Sequence, residues 1–166
     1  MQAVQASKKE LRKSIRQILN KYDAETRREP SLQIKSQLQH HLQLLDNVKA
    51  VCVFLSMPSK EVDTETIVET CLSKDIDVFV PQVVDKTTMK MLKLGGTHEF
   101  AQMERNHWQV LEFADTTNRV DALEADPPLD LIITPGVAFD AQCRRLGQGR
   151  GYYGTSFNGK DTCIKL

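Results

Sequence analysis

The chain has 166 residues, a length that suits one domain with a single buried core. Basic and acidic residues number 22 each, and this zero net charge excludes a general attraction to nucleic acid or anionic membranes. Hydrophobic residues make up 40% and charged residues 27%, as in soluble globular proteins. No apolar run approaches the ~20 residues of a membrane span, and the first residues lack a signal-peptide core, which predicts a cytoplasmic protein.

Two helices are predicted in the first 45 residues. Ser7 and Glu10 form a capping box, and apolar residues then recur at helical spacing, with lysine and arginine on the outer face. A second helical pattern covers residues 32–45. Pro30 precedes it and suits either a helix start or a kink.

The rest of the chain predicts a layered α/β fold. Apolar, β-branched stretches predict buried strands at residues 48–55, 77–84 and 129–134. Residues 64–73 predict a helix, and residues 89–94 alternate apolar and lysine side chains like a strand with one wet face. Residues 95–128 are the least regular, and we expect loops with a short helix near 120–123. This alternation predicts a parallel or mixed sheet with helices on both faces, and ligands beyond the carboxyl ends of its strands.

The four cysteines predict neither a metal site nor a disulfide framework. No C-x-x-C pattern occurs, and no histidine lies at metal-ligand spacing. We interpret them as reduced thiols, with Cys52 in a strand, Cys71 on a helix, and Cys143 and Cys163 in loops.

A glycine-rich segment after the third buried strand carries the strongest functional signal. Glycines at alternate positions, 147, 149 and 151, allow sharp turns and a close backbone approach to a ligand. Arg145 and Arg150 offer fixed positive charge suited to phosphate or carboxylate, and Tyr152 and Tyr153 offer flat surfaces. The spacing is neither the Rossmann nor the Walker pattern. We therefore predict an anion-binding loop beside a pocket for a planar ligand.

These motifs resemble a known family. The pattern P-G-x-x-F-D, followed by R-L-G-x-G-x-G-Y-Y, resembles the signature of 5-formyltetrahydrofolate cyclo-ligases. The resemblance extends to residues 8–12 (KKELR), residues 54–57 (FLSM) with Glu61, residues 89–91 (MKM) and Trp108. It implies a helix–sheet–helix (NagB/RpiA-like) fold. It also implies a ligase that closes 5-formyltetrahydrofolate to 5,10-methenyltetrahydrofolate and splits ATP into ADP and phosphate, in folate one-carbon metabolism (tetrahydrofolate interconversion).

The resemblance also implies the roles of individual residues. Its ATP-binding set is Lys8, Lys9, Arg12, Arg145, Leu146, Gly147, Gln148, Gly149, Arg150, Gly151, Tyr152 and Tyr153. Its folate-binding set is Leu55, Glu61, Gln148, Arg150 and Tyr152. The residues themselves leave alternatives open. Lys8 and Arg12, one helical turn apart, suit either one shared anion or a solvated basic face. Glu61 could equally be an ordinary surface carboxylate, and Leu55 could be a core residue. Trp108 could lie in the core or form a wall for a ligand ring.

The chain departs from the family pattern after Tyr153. Gly154 stands where the family has an aspartate that binds Mg²⁺, so no metal ligand is assigned, although Mg²⁺ is still expected with ATP. We expect a cyclo-ligase-like domain over residues 1–153, incomplete at its C-terminus, and a divergent tail over 154–166. The resemblance is thus to a truncated or variant form. Such a tail has little to bury, which predicts an exposed sheet edge.

The expected partner is a small molecule, 5-formyltetrahydrofolate with or without further glutamates, and the expected state is a monomer without nucleic acid or membrane contacts. Two alternatives stay open at this point. One is a catalytically weak or inactive truncated form that only binds ATP or folate. The other is an unrelated phosphosugar-binding protein of similar layered fold.

Overall fold

The computed structural model describes residues 2–44, 48–58, 60–126, 128–156 and 163–165. Its helices are α1 (Gln2–Leu19), α2 (Ala24–Leu44), α3 (Glu65–Leu72), α4 (Thr97–Gln102) and α5 (Tyr152–Ser156). Its strands are β1 (Ala50–Val53), β2 (Asp77–Val83), β3 (Met89–Lys93), β4 (Glu104–Arg105), β5 (Leu111–Glu112), β6 (Leu131–Thr134), β7 (Ala138–Phe139), β8 (Arg145–Leu146) and β9 (Cys163–Lys165). None of the described helices is long and apolar enough to cross a membrane.

One mixed sheet organises the fold. Its strand order is β3-β2-β1-β6-β9, in which β2, β1, β6 and β9 run parallel and β3 is antiparallel to β2. Every residue of β1 and β6 is buried, as the continuous apolar stretches predicted. Because these strands run the same way, the loops after β1 and β6 leave the sheet at one edge.

Helices and loops cover both faces of this sheet. One face packs against Leu38 of α2 and against Ile67, Val68 and Cys71 of α3. The opposite face carries a second buried cluster around Cys52, Phe79, Met91 and Ile132, and Tyr152 and Tyr153 of α5 pack against it. The predicted α/β layering is therefore confirmed. Burial also raises the pKa of the Cys71 thiol to about 11, so this cysteine stays protonated at neutral pH.

The starts of both N-terminal helices differ from the predictions. The predicted capping box is wrong, because α1 begins at Gln2 and Ser7 lies inside it. Residues 2–6 (QAVQA) contain mostly good helix formers, which lets the helix extend backwards past Ser7. The helix α2 begins after Asp23, whose Oδ1 accepts hydrogen bonds from the N and Oγ1 of Thr26 at 2.8 and 2.6 Å. Pro30 lies inside α2 rather than at its start, and position 45 of the predicted helix lies outside the described residues.

The segment 95–128 contains more regular structure than predicted. It forms α4 and a small hairpin of β4 and β5. The helix predicted near 120–123 is wrong. Asp121 instead forms an isolated antiparallel bridge with Leu92, and its carboxylate accepts hydrogen bonds from the backbone of Met91 and Leu123, both at 3.3 Å.

The C-terminal tail contributes a strand to the sheet. Ile132, Ile133 and Thr134 of β6 lie in register with Cys163, Ile164 and Lys165 of β9. Cys163 therefore lies in a strand and not in a loop, and β9 is the edge strand on this side of the sheet. Residues 157–162 and 166 of the predicted tail lie outside the described residues.

Candidate functional site

The segment after β6 folds into a short hairpin, β7–β8, at the carboxyl edge of the sheet. Asp140 holds its turn, because its carboxylate accepts hydrogen bonds from the backbone of Gln142 (3.1 Å) and Arg144 (2.8 Å) and pairs with the Arg144 side chain (2.6 Å). The hydrogen bond from the Arg144 backbone is the main reason that the pKa of Asp140 is lowered. A Cβ at Gly136 would lie 2.6 Å from the Phe139 ring, so a side chain there would force that ring to move.

Arg145 is anchored within the site. Its Nη1 donates to the carbonyl oxygen of Pro135 at 2.8 Å, and its guanidinium lies 5.2 Å from the centre of the Tyr153 ring. Arg150, in contrast, is exposed and forms no ion pair or hydrogen bond within the part of the chain that the structure describes. The two arginines therefore differ: Arg145 supports the loop as well as presenting charge, whereas Arg150 only presents charge.

The glycine loop and helix α1 are joined by two arginines. Arg12 donates from Nε to the carbonyl oxygen of Gly147 at 2.8 Å, and Arg16 donates from Nη2 to Oε1 of Gln148 at 2.8 Å. Gly149 has a φ of +108°, and a Cβ there would lie 3.4 Å from the Arg12 guanidinium carbon. The positive φ is what favours glycine at this turn, since a Cβ would make only an ordinary contact with Arg12.

The two tyrosines occupy different positions beside the loop. Tyr152 donates its hydroxyl to the carbonyl oxygen of Asp85, at the turn between β2 and β3, at 3.2 Å. Tyr153 packs against the buried clusters on both faces of the sheet. Burial raises the pKa of Tyr153 well above its ordinary value, with smaller contributions from Cys52 and Glu61 and an opposing one from Arg145. Tyr153 therefore stays protonated even above the usual pKa of tyrosine.

The loop after β1 brings Glu61 to the same edge. Thr64 closes this loop, since its Oγ1 donates to Phe54 O at 2.6 Å and accepts from Ser56 N at 3.1 Å. Within the loop, Glu61 Oε2 accepts a hydrogen bond from Met57 N at 2.9 Å. Burial nevertheless raises the pKa of Glu61. Among the described residues no hydrogen bond reaches the other carboxylate oxygen, so it can accept from the N–H donors of a ligand.

The structure brings some of the predicted site residues together and separates others. Glu61, Arg145 and Tyr153 are close enough to influence one another electrostatically. Leu55 is only 8% exposed and belongs to the core, so little of its side chain is accessible for the predicted contact with folate. Trp108 is 60% exposed at the tip of the β4–β5 hairpin, which excludes its core alternative. The binding roles of all these residues stay predictions.

A cavity of about 600 Å³ lies between α1 and the glycine loop, and we call it the α1 cavity. It is lined by Lys9, Glu10, Arg12, Lys13, Arg16, Gln17, Asn20 and Gln148. Lys9 and Arg12 of the predicted ATP-binding set line this cavity, whereas Lys8 is exposed outside it, and the predicted sharing of one anion by Lys8 and Arg12 stays a prediction. Lys13 and Arg16 were not predicted as site residues. Their spacing from Lys9 and Arg12 along one helix face is the signal that could have identified them.

The described residues do not form a metal site. No group of three or more histidine, cysteine, aspartate or glutamate side chains within them is arranged to hold a metal ion. Gly154 is exposed and has no side chain to offer. The chain therefore does not fit a Mg²⁺ ion held by several carboxylates within the described part, and we derive no chemical step from such an ion.

Comparison with known proteins decides which family uses this arrangement. Residues 4–165 match the model of the 5-formyltetrahydrofolate cyclo-ligase family. A 5-formyltetrahydrofolate cyclo-ligase of Mus musculus is 33% identical over 153 residues, which are 92% of this chain and 74% of the mouse protein. The chain belongs to the 5-formyltetrahydrofolate cyclo-ligase family. This confirms the predicted class, an ATP-dependent ligase of folate one-carbon metabolism, and removes the phosphosugar-binding alternative.

Solved structures show the same cyclo-ligase fold. A 5,10-methenyltetrahydrofolate synthetase of Aquifex aeolicus is 24% identical with a TM-score of 0.72, covering 96% of this chain and 76% of that one. The corresponding synthetase of Mycoplasma pneumoniae is 19% identical with a TM-score of 0.67, covering 93% and 79%. At this identity the likeness concerns the fold, and it supports the mixed sheet and its edge loops as a cyclo-ligase scaffold.

Proposed function

We propose that this chain closes 5-formyltetrahydrofolate to 5,10-methenyltetrahydrofolate with consumption of ATP, using the loops after β1 and β6 as its site. Family membership over residues 4–165 carries the proposal. The geometry supports it: a carboxylate suited to ring N–H donors lies beside a glycine loop with two arginines. Folate would contact Glu61 and Tyr152, and ATP would contact the glycine loop and the Lys9–Arg12 face of α1.

The chemistry proposed needs little proton transfer by the protein. The formyl oxygen attacks the γ-phosphorus of ATP, the bond to the β-phosphate oxygen breaks, and ADP leaves. N10 then attacks the activated formyl carbon and loses its proton to solvent. The carbon–oxygen bond breaks and phosphate departs. The protein must align the formyl oxygen with the γ-phosphate and neutralise the phosphate charge.

Arg145 and Arg150 provide that charge in different ways. Anchoring by Pro135 and Tyr153 holds the guanidinium of Arg145 in one place before a ligand arrives, which lowers the entropy lost on binding. The exposed Arg150 can turn toward the transferred phosphoryl group. The Tyr153 ring lies beside the guanidinium of Arg145 and helps to hold it in place. Magnesium would accompany ATP on its phosphate oxygens.

A spectroscopic assay tests the proposal. Purified protein with 5-formyltetrahydrofolate, ATP and Mg²⁺ should form the methenyl product, followed by its absorbance, with one ADP for each product molecule. Omission of either substrate should stop both signals. Folded protein that binds ATP and folate but releases no ADP would refute the proposed activity. It would support the alternative of a binding-only chain, which the absence of a carboxylate at Gly154 favours.

The cellular setting of the reaction is part of the same proposal. We place the enzyme in the cytoplasm as a monomer that acts on folate carrying one or more glutamates. The balanced charge of the chain and the absence of a membrane-spanning helix among the described residues agree with this setting. Sedimentation of the purified protein tests the monomer.

A further inference from the structure

The α1 cavity contains more positive charge than the predicted contacts use. Lys9, Arg12, Lys13 and Arg16 all line it, and Glu10 is the only carboxylate among its lining residues. None of these four cations forms an ion pair within the described part of the chain. The cavity therefore presents four positive charges against one negative charge.

The sequence spacing makes this concentration of charge unfavourable in the unliganded helix. Lys9 with Lys13, and Arg12 with Arg16, are like-charge pairs four residues apart, which destabilise a helix. Lys9 with Arg12, and Lys13 with Arg16, are also three residues apart, so the four residues form a single stripe along α1. A multiply charged anion in the cavity would remove this repulsion.

The hydrogen bonds fix this stripe against the glycine loop. Nε of Arg12 and Nη2 of Arg16 are directed to Gly147 and Gln148, which keeps both guanidinium groups at the cavity wall. Because each guanidinium has five N–H donors, most donors of both arginines are left for a ligand. The cavity and the anion-binding loop thus share a wall at Gln148.

We propose that Lys13 and Arg16 form, with Gln148, a second anion subsite that continues from the glycine loop along α1. It binds the charged end of a substrate, as a group bearing two or more anionic oxygens. This inference rests on the proposed function, since either the phosphates of ATP or the terminal carboxylates of the folate could supply that group. The shared chemistry is a polyanion held between α1 and the loop.

Binding of inorganic pyrophosphate tests the subsite without catalysis. In calorimetric titrations, the Lys13→Gln/Arg16→Gln protein should bind pyrophosphate about tenfold more weakly than wild type, as expected for lost charge-assisted hydrogen bonds. Its affinity should also depend less on salt. Lys74→Gln is the matched control, because Lys74 is exposed at the end of α3 and outside the α1 cavity. Arg16→Lys should restore most of the affinity if charge matters more than the bond to Gln148.

Steady-state kinetics then identify the source of the anion. A higher KM for ATP in the double variant assigns the subsite to phosphates. If the double variant instead shows a higher KM for 5-formyltetrahydrofolate and an unchanged KM for the analogue that lacks the glutamate, that result assigns the subsite to the tail carboxylates. The inference would be overturned if wild type, the double variant and Lys74→Gln bound pyrophosphate with equal affinity. It would also be overturned if wild type did not bind pyrophosphate. Neither outcome bears on the proposed function, which fails only if wild type forms no methenyl product.

Discussion

Arg12 of the first helix donates a hydrogen bond from Nε to the carbonyl oxygen of Gly147, 135 positions further along the chain, at 2.8 Å. Together with the bond from Arg16 to Gln148, it joins α1 to the glycine loop. Several apolar side chains of α1, including Leu11 and Ile18, are about half exposed, so packing contributes little to holding this helix. The two arginines therefore couple the position of α1 to the conformation of the loop.

Replacing Arg12 tests this coupling. Arg12→Ala removes a partly buried, charge-assisted hydrogen bond, and we expect a loss of about 1–3 kcal/mol in the free energy of unfolding. ATP affinity should fall as well, because the loop loses its support. Denaturant unfolding and nucleotide titration measure the two effects. Lys74→Ala is the control, since Lys74 is exposed and lies outside both the α1 cavity and the predicted binding sets. Unfolding curves that coincide for Arg12→Ala and wild type would contradict the coupling.

The two arginines of the glycine loop should respond differently to removal. Arg150→Ala should weaken ATP binding about tenfold with an unchanged melting temperature, because Arg150 is exposed and forms no ion pair or hydrogen bond among the described residues. Arg145→Ala should weaken ATP binding and also lower the melting temperature, since it loses its bond to Pro135 and its contact with Tyr153. Calorimetric titration and thermal unfolding separate these outcomes. Equal melting temperatures in the two variants would show that Arg145 has no supporting role.

Much of this architecture could be predicted from local sequence, and its long-range contacts could not. Runs such as 48–55 and 129–134 identified the central strands, because continuous apolar, β-branched stretches are typical of strands buried on both faces. The bond between Arg12 and Gly147 depends on how the whole sheet folds, and no local pattern encodes it. The predicted start of α1 was wrong because a capping box is a local signal. Favourable helix propensity in the preceding residues overrides it.

The site was predicted less completely than the fold. The alternation of glycines identified the loop, since positive φ at Gly149 and Gly151 is a property that the residue type itself permits. The orientation of Trp108 could not be predicted, because it depends on the turn of the β4–β5 hairpin, where Gln109 has a φ of +64°. Lys13 and Arg16 were missed because basic residues on a helix are usually only solvated, and the opposing Gln148 is distant in sequence.

Glu61 gives a prediction for pH dependence. Burial raises its pKa from the ordinary 4.5, so the folded state holds the proton more tightly than the unfolded state. Ionisation of Glu61 therefore reduces stability as pH rises from about the unfolded pKa through the folded pKa, and this loss is fully present above the folded pKa. Glu61→Gln keeps an acceptor for Met57 and removes the charge, so its stability relative to wild type should increase between pH 4 and pH 7.

Unfolding measured at several pH values checks this sign. Glu65→Gln is the comparison for a carboxylate outside the loop, although it also removes the ion pair with Arg105. Folate binding should weaken in Glu61→Gln while ATP binding stays nearly unchanged. A relative stability that falls with pH would mean that the charged form of Glu61 is the favoured one in the folded protein.

Thr134 and Thr64 allow a matched test of buried hydroxyl groups. Thr134 Oγ1 has no hydrogen-bond partner in the described structure, whereas Thr64 Oγ1 donates to Phe54 and accepts from Ser56. Both residues are at most 2% exposed. Because an unpaired buried hydroxyl is costly, Thr134→Val should raise the free energy of unfolding by about 1 kcal/mol, and Thr64→Val should lower it by about 1–3 kcal/mol. Chemical denaturation measures both, and a loss of stability in Thr134→Val would contradict the assignment.

Gly154 provides the last prediction, for magnesium dependence. Nothing lies within 4 Å of a Cβ built at Gly154 among the described residues, so the backbone there has open space for the start of a side chain. An aspartate at this position would follow Tyr153 within the first turn of α5, where a carboxylate is favoured electrostatically and lies near the proposed phosphate site. Gly154→Asp should therefore leave the melting temperature unchanged or slightly higher, and it should raise turnover at limiting Mg²⁺.

Gly154→Asn separates charge from shape in this test, since it has the same number of side-chain atoms without the negative charge. We expect the magnesium concentration for half-maximal turnover to fall in Gly154→Asp and to stay at the wild-type value in Gly154→Asn. Titration of turnover with Mg²⁺ at fixed ATP measures it. The same response in both variants would show that the helix, and not the carboxylate, changes the activity. No response in either would mean that Mg²⁺ reaches the reaction on ATP alone, without help from position 154.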